Sequence, residues 1–499
     1  MYDILEQIVS AKSADYERMG PTFGANVPMH RTRPVVPFLE TPGTILEIKR
    51  ASPSRGDIAT NLDPIETANQ YRLAGTRNLS VLTEQRFFKG SLEDLIAIAS
   101  EILDLSILRK DFILYDDEIE VSYRAGADAV LLIARILDTD TLLRLAKRCR
   151  TFSMTPLIEV RDAGDLKKLS AAAAQGYVIA GVNSRDLATF KTDPLVPAIL
   201  RSKLPCKTIF ESGVTTPGAC RFARQLGFDG LLIGEAVAKN PKDAAAFVHA
   251  FDLARPDWVG HFWREIGKRI QDNHGRNRPI VKICGLTNEE DARYVVSLGA
   301  DILGFIFSKS PRAVSAEKVR EIALRIQKTT GRNNQRHPLL VGVVTETNSE
   351  TALEAFSLVC EGILDAIQYH GETPEQDMPC IDRAGGCFGI GKYSVVRLGS
   401  DEDIVRIDAL IANGEPRVLI DARVEGIAGG TGQTIPKSLV QKAAERCGLW
   451  LAGGITPKNI RQYLEQFSPE LVDVSSGLEF SPGKKDKILV ASFFREISR

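Results

Sequence analysis

Two short glycine-containing segments of this chain have the composition of phosphate-binding loops. The first is Glu211-Ser212-Gly213, followed by Leu232-Ile233-Gly234, and the second is Ala452-Gly453-Gly454, followed by Val474-Ser475-Ser476. Gly213 and Gly234 are 21 residues apart, as are Gly454 and Ser475, and one strand–helix–strand unit fits that interval. Small residues let backbone N–H groups approach a dianion, and a following helix N-terminus attracts negative charge. The repeat therefore predicts a site for a phosphorylated small molecule in each half.

Polar side chains also follow apolar runs of the first half, at positions where strands would end. Two of them, Glu47 and Lys49, are two residues apart and so point to the same side of a strand. Any one such group is usually solvated or in a surface ion pair. Several together favour a paired, substrate-binding network, because burying unpaired charges is costly and loops converge where barrel strands end. The candidates are Glu47, Lys49, Lys110, Glu159, Asn183, Arg185 and Glu211.

The second half has a cysteine and an aspartate at predicted strand ends. Cys284 follows Val281-Lys282-Ile283, as Lys49 ends the first strand of the other half, and Asp421 follows Val418-Leu419-Ile420. A lone cysteine is usually a buried inert thiol, and a strand-end aspartate usually caps a helix or turn. Composition alone therefore leaves the structural and the catalytic interpretation open for both residues.

The elements that would position these groups are short apolar runs that alternate with helical stretches. The alternation favours parallel sheets, and eight strands in each half predict an α/β fold of two tandem (βα)8 barrels. Residues 1–40 precede the first barrel as an extension in which Ile4, Leu5 and Ile8 recur at helical spacing. The predicted strands are 44–48, 79–82, 107–109, 129–133, 154–158, 178–182, 207–210 and 230–233, then 280–283, 302–307, 339–344, 366–368, 393–397, 417–420, 450–451 and 471–474.

Three similar segments containing glycine and aspartate precede predicted strands. They are Ala125-Gly126-Ala127-Asp128, Leu226-Gly227-Phe228-Asp229 and Leu298-Gly299-Ala300-Asp301. Glycine commonly ends a helix before the chain enters a strand. We interpret the similarity as local helix–strand grammar, with gene duplication as the alternative.

The boundary between the barrels is predicted between residues 256 and 278. This gives a first domain of residues 1–256, a partly helical linker of residues 257–278 and a second domain of residues 279–499. Five apolar residues could line one face of a linker helix: Trp258, Phe262, Trp263, Ile266 and Ile270. We interpret it as a connecting helix that docks one barrel against the other, with a partner-binding helix as the alternative.

Length and composition restrict the class of protein. The 499 residues suffice for two barrels, and 44% apolar and 25% charged residues are ordinary for globular protein. A net charge of −1 gives no reason to expect a nucleic-acid or anionic-membrane partner, and no apolar run is long enough to span a membrane. Asp3, Glu6 and Lys12 leave no apolar core for a signal peptide.

The eight cysteines are scattered without a Cys-x-x-Cys pair, which favours a reducing cytoplasm over a disulfide framework or a thiol-rich zinc site. No metal cluster or dinucleotide fingerprint is recognisable, so we expect no cofactor. We also expect small-molecule substrates, no nucleic-acid or membrane partner, and a chain that acts as a monomer.

Three segments of the first half are similar to signature segments of indole-3-glycerol-phosphate synthase. They are Leu46-Glu47-Ile48-Lys49 with Ser52-Pro53-Ser54, Leu108-Arg109-Lys110-Asp111-Phe112 and Ile209-Phe210-Glu211-Ser212-Gly213. The resemblance covers roughly residues 1–255, including the N-terminal extension. It implies closure of an indole ring from a carboxyphenylamino-deoxyribulose phosphate, with loss of carbon dioxide and water.

The same resemblance implies roles for the strand-end residues. Lys110 would be the general acid that polarises the sugar carbonyl, and Glu159 would assist the later dehydration as acid or base. Lys49, held by Glu47, would bind the anthranilate carboxylate and donate a proton. Asn183 and Glu211 would orient these groups. The implied substrate- and phosphate-binding residues are Ser52, Arg185, Ser212, Gly213, Gly234 and Glu235, the last standing where some members of the family carry serine.

Four segments of the second half resemble phosphoribosylanthranilate isomerase over roughly residues 279–499. They are Lys282-Ile283-Cys284-Gly285-Leu286-Thr287, Ser310-Pro311-Arg312, Gln368-Tyr369-His370-Gly371 and Ala452-Gly453-Gly454-Ile455. The resemblance implies an Amadori rearrangement of an aldose phosphate to a ketose phosphate. In it Asp421 would open the ribose ring as an acid, Cys284 would remove the C2 proton, and Arg312 would hold the anthranilate carboxylate. The implied phosphate- and sugar-binding residues are Gly430, Gly453, Gly454, Ser475 and Ser476.

Three details of the second half bear on this resemblance. A thiol base must be partly ionised near neutrality, so the pKa of Cys284 should lie below about 8.5, with Lys282 or a helix terminus as the cause. His370 should pack or orient its neighbours rather than titrate. Two departures from the family pattern leave the fit of the substrate open: Tyr369 replaces leucine, and Thr434-Ile435-Pro436 replaces phenylalanine-aspartate-tryptophan.

Taken together, these resemblances predict one polypeptide that performs two successive steps of tryptophan biosynthesis. The C-terminal barrel would make the ketose phosphate that the N-terminal barrel cyclises. One alternative makes the second half a histidine-pathway sugar-phosphate isomerase, although that enzyme is expected to have aspartate in place of Cys284. The other alternative makes one half a phosphate-binding scaffold without catalysis.

Overall fold

Each half of the chain folds into a closed barrel of eight parallel strands with helices between them, which confirms the predicted fold class. In the computed structural model the chain divides into two units, Met1–Pro256 and Asp257–Arg499. The structure describes residues 4–186, 191–256, 258–274, 278–333, 336–374, 376–377, 391–422 and 436–498.

The first barrel is built from strands β1 (Gly43–Ile48), β2 (Asn78–Leu82), β3 (Ser106–Lys110), β4 (Ala129–Ile133), β5 (Thr155–Val160), β6 (Ile179–Asn183), β7 (Lys207–Glu211) and β8 (Gly230–Ile233). The strands follow chain order, and β1 closes the barrel by pairing with both β2 and β8. A short antiparallel hairpin, Ala51–Ser52 with Gly56–Asp57, follows β1. The helices are Ile4–Met19, Pro64–Leu73, Leu92–Glu101, Asp116–Ala125, Thr139–Thr151, Ala163–Ala174, Leu195–Arg201, Pro217–Gln225, Glu235–Lys239 and Ala244–Leu253, with a 3-10 turn at Pro241–Asp243.

The second barrel is built from strands β9 (Ile280–Cys284), β10 (Ile302–Ile306), β11 (Leu339–Val344), β12 (Ala366–Tyr369), β13 (Lys392–Arg397), β14 (Leu419–Asp421), β15 (Trp450–Ala452) and β16 (Leu471–Val474). Here β9 closes the barrel by pairing with β10 and β16. A hairpin, Glu479–Ser481 with Lys484–Lys485, follows β16. The helices are Trp258–His274, Glu289–Ser297, Ala316–Asn333, Glu350–Cys360, Asp401–Ala412, Lys437–Arg446, Ile460–Phe467 and Lys487–Ile497, with a 3-10 turn at Ser476–Leu478.

The predicted strands correspond to the observed ones, and β4, β8, β11 and β16 begin and end at the predicted residues. One departure is β14, which was predicted to begin at Arg417 and begins at Leu419. Arg417 is almost fully buried and directs its guanidinium to Glu470, with Arg417 Nε 2.6 Å from Glu470 Oε2. Its side chain therefore makes an ion pair just before the strand.

The three segments containing glycine and aspartate share one geometry. In each, the glycine has a φ angle between 90° and 101°, the left-handed region in which glycine has no Cβ penalty. Each aspartate then accepts a hydrogen bond of 2.9 Å from a backbone N–H at the start of the preceding strand: Asp128 from Ile107, Asp229 from Thr208 and Asp301 from Val281. This shared hydrogen bond gives the recurring segments a common structural role.

The predicted N-terminal extension contains the helix Ile4–Met19, which packs on the first barrel. Leu5 and Ile8 are buried in a cluster with residues that include Phe38 and Leu39. Lys12 is also buried, and its Nζ lies 2.8 Å from Asp111 Oδ1, next to the end of β3. The helix is therefore held by both apolar packing and a buried ion pair.

The segment predicted as a linker contains the helix Trp258–His274, which packs within the second unit. Phe262 and Trp263 are buried and form an aromatic cluster with Tyr393 of β13 and Trp450 of β15. The Trp263 and Trp450 ring centres are 5.7 Å apart. Arg269 of the same helix donates to the carbonyl oxygen of His337 at 2.7 Å. Aromatic burial and this polar contact fix the helix against the barrel.

The helices and the cysteines bear on two further predictions from the sequence. Among the described helices, none combines the length and the apolar character that crossing a membrane requires. Cys360 is disulfide-bonded, which the scattered cysteines did not predict, whereas Cys149, Cys206, Cys220, Cys284 and Cys447 are free.

Candidate active sites

The strand-end residues of the first barrel lie at one mouth and contact one another. Lys110 ends β3 and Glu211 ends β7, and Lys110 Nζ lies 2.7 Å from Glu211 Oε2. Asn183 ends β6, beside Glu211 in the sheet register, and donates to Glu159 Oε1 of β5 at 3.3 Å. Lys49 Nζ lies 3.3 Å from Glu47 Oε1. The predicted network is therefore assembled from five different strands and the residue that follows β1.

Lys110 is held as a cation in this network. Burial alone would lower its pKa, but the carboxylates of Glu211, Glu47 and Glu159 outweigh that effect and raise it. Glu211 is itself buried, and its Oε1 atom has no hydrogen-bond partner among the described residues. A side chain at Gly181 of β6 would place a Cβ only 2.0 Å from that oxygen, so glycine makes the space that the carboxylate occupies.

Glu159 is poised to exchange a proton near neutrality. Burial and, next, repulsion from Glu211 raise its pKa to about 7, against opposing effects of Lys110 and Asn183. A carboxyl group with such a pKa can both give and take a proton at neutral pH. This suits a residue expected to act as acid or base.

The raised pKa of Glu159 predicts a pH-dependent loss of stability. Its ordinary pKa is 4.5, so between about pH 4.5 and 7 the unfolded chain loses this proton while the native barrel keeps it. The associated stability is fully present below pH 4.5 and is lost as the pH rises through 7, by at most about 1.4 kcal/mol per pH unit. Glu159→Gln mimics the protonated acid and should not show this loss. In urea unfolding of the first barrel, we expect the free-energy difference between variant and wild type to change by roughly 2–3 kcal/mol from pH 5 to pH 8. A difference that is the same at both pH values would contradict the raised pKa.

Glu47 links β1, β2 and the loop after β8. Ser80 Oγ donates to Glu47 Oε2 at 3.2 Å, and Lys49 lies near the other oxygen. A Cβ on Gly234 would lie 2.5 Å from Glu47 Oε1. Gly234, predicted as a phosphate ligand, therefore also makes room for the carboxylate that holds Lys49, a role that its sequence context did not indicate.

The predicted phosphate loop of the first barrel has an unusual backbone. Ser212 and Gly213 both have positive φ angles, 69° and 77°, directly after β7. Successive residues in this conformation can direct their N–H groups toward a common anion. Ser184 Oγ donates to the Ser212 carbonyl oxygen at 2.9 Å, which anchors the turn.

Two arginines, Arg185 and Arg55, contact the segment after β1 and the residue after Gly234. Arg185 Nη1 donates to Ser54 Oγ at 3.1 Å, and Ser52 and Ser54 face each other across 3.4 Å in the segment after β1. Arg55, which sequence reasoning did not select, lies with its Nε 3.3 Å from Glu235 Oε1. Burial would raise the pKa of Glu235, but Lys239, Arg55 and Arg185 lower it overall, so this carboxylate remains ionised. Arg55 and Arg185 therefore both lie within ion-pair distance of Glu235, the residue after Gly234.

The second barrel brings its predicted residues to the corresponding mouth. Cys284 ends β9 and Asp421 ends β14, while the residues after β15 and β16 complete the rim. Gly453 and Gly454 have positive φ angles of 96° and 64°. Ser475 lies close to Gly285, because a Cβ added to Gly285 would be 3.0 Å from Ser475 Oγ. Ser476 begins the 3-10 turn Ser476–Leu478.

The surroundings of Cys284 do not favour the low pKa that the sequence predicts. Burial raises the pKa of this thiol, and although Lys282 and Lys485 lower it, Asp473 opposes them. Lys282 is fully buried, and its Nζ lies 2.6 Å from Asp473 Oδ2. The cation that should favour the thiolate is therefore largely compensated by a carboxylate, and burial prevails.

Asp421 lies beside a histidine and a glycine. The His370 Nε2 atom is 3.5 Å from Asp421 Oδ2, without a hydrogen bond of suitable geometry. A Cβ on Gly453 would lie 2.6 Å from Asp421 Oδ1. The Asp421 side chain is about one third exposed, and the orienting role of His370 stays a prediction.

Arg312 is bound to a residue that the sequence did not indicate. Its guanidinium forms a bidentate pair with Glu479, and Glu479 also contacts Lys485, both from the hairpin after β16. In the sequence, Pro482-Gly483 is typical of a turn and could indicate this hairpin. It does not indicate that the hairpin residues contact Arg312.

Of the two departures from the isomerase pattern, the structure describes Tyr369 fully and Thr434-Ile435-Pro436 only in part. Tyr369 directs its hydroxyl to Asp377 Oδ2 at 2.6 Å, so the extra polar group is satisfied. Gly430, the segment 429–433 and the first two residues of Thr434-Ile435-Pro436 lie outside the described residues. Pro436 precedes the helix Lys437–Arg446.

Comparison with protein families finds two matches in tandem. Residues 35–251 match the family model of indole-3-glycerol phosphate synthase, and residues 281–496 match that of N-(5'phosphoribosyl)anthranilate (PRA) isomerase. Each match covers one of the two barrels.

Two curated relatives and one solved structure illustrate what the chain is similar to. A multifunctional tryptophan biosynthesis protein of Schizosaccharomyces pombe is 31% identical over 91% of this chain and 59% of its own length. An indole-3-glycerol phosphate synthase of Rippkaea orientalis is 38% identical over 50% of this chain and 89% of its own length. A solved phosphoribosyl anthranilate isomerase of Thermotoga maritima is 33% identical, covers 44% of this chain and 98% of its own, and has a TM-score of 0.36. The chain spans 59% and 62% of the lengths of the first two multifunctional relatives.

Proposed function

Because this chain belongs to the indole-3-glycerol phosphate synthase family through its first barrel and to the PRA isomerase family through its second, we propose that it catalyses two successive steps of tryptophan biosynthesis. The second barrel converts N-(5-phosphoribosyl)anthranilate to 1-(2-carboxyphenylamino)-1-deoxyribulose 5-phosphate. The first barrel then forms indole-3-glycerol phosphate with loss of carbon dioxide and water. The proposal assigns the synthase to residues 1–256, the isomerase to residues 279–499, and both reactions to a cytoplasmic monomer without added cofactor.

In the isomerase, Asp421 protonates the ribose ring oxygen as the ring opens, which leaves a protonated imine at C1. Cys284, as the thiolate, then removes the proton from C2, and the resulting enolamine rearranges to the ketose. Arg312 pairs with the anthranilate carboxylate. The loops at Gly453, Gly454, Ser475 and Ser476 bind the phosphate through backbone N–H groups and hydroxyls. Because burial raises the pKa of Cys284, the thiolate that removes this proton is the minority form of the residue at neutral pH.

In the synthase, Lys110 protonates the carbonyl oxygen while the anthranilate ring carbon attacks the carbonyl carbon. Loss of carbon dioxide follows, and the hydroxyl then leaves as water. Lys49 binds the carboxylate of the substrate and supplies a proton for the departing hydroxyl, while Glu159 takes the proton released in that dehydration. Glu47, Asn183 and Glu211 orient these groups, and Ser52, Arg185, Ser212, Gly213, Gly234 and Glu235 form the phosphate and sugar site.

The observation that carries the synthase assignment is the buried group around Lys110. The cation is 2.7 Å from Glu211, and a neighbouring carboxyl, Glu159, has a pKa of about 7. One group is thereby held charged and the other is free to exchange a proton, which is the division of labour that acid–base catalysis requires. A scaffold that only bound phosphate would have no need of this arrangement. In the second barrel, Cys284 in place of aspartate disfavours a histidine-pathway isomerase.

A two-substrate assay on the purified full chain tests the proposal. Given N-(5-phosphoribosyl)anthranilate alone, the wild type should consume it and release indole-3-glycerol phosphate, detected by chromatography. Given the ketose phosphate, it should form the same product. Conversion of only one of the two substrates by one barrel would support the scaffold alternative for the other, and conversion of neither would refute the proposal.

A further inference from the structure

Glu479 binds one edge of the Arg312 guanidinium. Arg312 Nε lies 2.9 Å from Glu479 Oε1, and Arg312 Nη2 lies 2.7 Å from Glu479 Oε2. The aliphatic part of the side chain packs on Gly285, where a Cβ would lie 2.8 Å from Arg312 Cδ. Both the head and the stem of the arginine are therefore fixed.

Glu479 is fixed in turn by a buried lysine. The side chain of Glu479 is 4% exposed and that of Lys485 is fully buried, with Lys485 Nζ 3.1 Å from Glu479 Oε1. Lys485 Nζ also donates to the carbonyl oxygens of Cys284 at 2.7 Å and Ser475 at 3.2 Å. The chain of contacts thus joins Arg312 to the end of β9 and to the residue after β16.

This arrangement leaves the other edge of the arginine available. Glu479 occupies the Nε and Nη2 positions, and no hydrogen bond between residues of the described chain uses Nη1. The Arg312 side chain is 23% exposed, so the accessible part of the pair is the cation. A guanidinium presents N–H groups in a fixed plane, and a carboxylate can approach the remaining edge while the first stays paired.

The charges of the cluster favour the same conclusion. Burial would raise the pKa of Glu479, but Arg312 and Lys485 lower it overall, so the carboxylate is ionised. Two basic groups, Arg312 and Lys485, share the single carboxylate of Glu479, so the cluster as a whole is formally cationic. An anionic ligand then meets one net positive charge in a fixed orientation.

We propose that Glu479 is the positioning residue that aligns Arg312 for the carboxylate of the isomerase substrate, and that Lys485 holds Glu479 in place. This inference rests on the proposed isomerase function and identifies how that site recognises the acid group of its substrate. Neither Glu479 nor Lys485 contacts the reacting carbons in this assignment, and their effect passes through Arg312.

The inference is tested by Glu479→Gln and Glu479→Asp in the full chain. The first keeps the shape and removes the charge, and the second keeps the charge but is too short for the bidentate pair. Each should raise the isomerase KM at least about tenfold, roughly the equivalent of one charge-assisted hydrogen bond, with a much smaller change in kcat. Simple electrostatics gives the opposite sign for Glu479→Gln, because removing an anion would strengthen attraction of an anionic substrate and lower KM.

Three controls make the outcome specific. Glu361→Gln breaks a bidentate pair with Arg320 on the exterior of the same barrel and should leave KM unchanged. The synthase activity of the same molecules reports that the chain is intact. Titration with a reduced, unreactive product analogue should show that the variants weaken its binding about tenfold, but weaken a version without the carboxylate less than about twofold.

Several results would overturn the inference. An unchanged or lowered KM in a folded variant would do so, as would equal weakening of both analogues. If one variant fails to fold, the other decides, and if both fail, Glu479 is required for folding rather than for alignment and the inference is wrong. A wild type without isomerase turnover would overturn the proposed function and this inference together, whereas an active wild type with unaffected variants would overturn the inference alone.

Discussion

Replacement of Lys110 by methionine is expected to abolish formation of indole-3-glycerol phosphate and to spare the isomerase. Methionine keeps the unbranched side chain but removes the only proton donor proposed for the carbonyl oxygen. It also leaves Glu211 buried without its cation, and one oxygen of that carboxylate already has no hydrogen-bond partner within the described part of the chain. General acid–base groups contribute about 10²–10⁴-fold, so we expect synthase kcat to fall by at least about 10³-fold.

The measurement is a pair of assays on the same preparation. Lys110→Met should consume N-(5-phosphoribosyl)anthranilate at the wild-type rate and accumulate the ketose phosphate. Lys167→Met, which removes an exposed lysine from the helix Ala163–Ala174, is the matched control and should retain both activities. Retention of indole formation by Lys110→Met would remove this residue from the mechanism, and loss of both activities would point to misfolding.

Replacement of Cys284 by serine is expected to have the converse effect. A hydroxyl has nearly the same shape as a thiol but ionises far less readily, so the proposed base is lost. Isomerase kcat/KM should fall by at least about 10³-fold, and conversion of the ketose phosphate by the first barrel should continue. Cys447→Ser, which changes another free cysteine of the same unit, should retain both activities.

The raised pKa of Cys284 adds a pH dependence to this prediction. The active base is the thiolate, and burial makes it the minority form at neutral pH. Wild-type isomerase kcat/KM should therefore increase as the pH rises toward the thiol pKa, while the residual activity of Cys284→Ser should lack this increase. A flat wild-type profile over the neutral and alkaline range would mean that the thiol is already ionised, or that it is not the base.

The sequence was sufficient to predict which residues end strands, and hence most of both mouths. Alternation of apolar runs with helices locates strands to within a residue or two, and the polar residue that ends a run must then lie at the mouth. Lys110 and Glu211 follow from this reasoning. That they form an ion pair does not, because residues 101 positions apart are brought together only by closure of the barrel.

The remaining features depend on packing that a linear pattern does not carry. Glu479 and Lys485 belong to a short hairpin without helical or strand periodicity, so nothing indicates that they reach Arg312. The sequence predicts a low pKa for Cys284, with Lys282 or a helix terminus as the cause. In the structure burial raises this pKa, and Asp473, brought in by β16, offsets the Lys282 cation. The roles of Gly181 and Gly234 are likewise not visible in the sequence. The space beside each glycine is filled by a carboxylate from a neighbouring strand, Glu211 for Gly181 and Glu47 for Gly234.

The positions of the tryptophans make the two barrels spectroscopically distinguishable. The chain has three tryptophans, Trp258, Trp263 and Trp450, and all belong to the second unit. Fluorescence excited at the red edge, where tyrosine no longer absorbs, therefore comes only from residues of the second unit. Circular dichroism reports the helices of both. A denaturant titration followed by the two signals would resolve which barrel opens first, without cutting the chain or attaching a label.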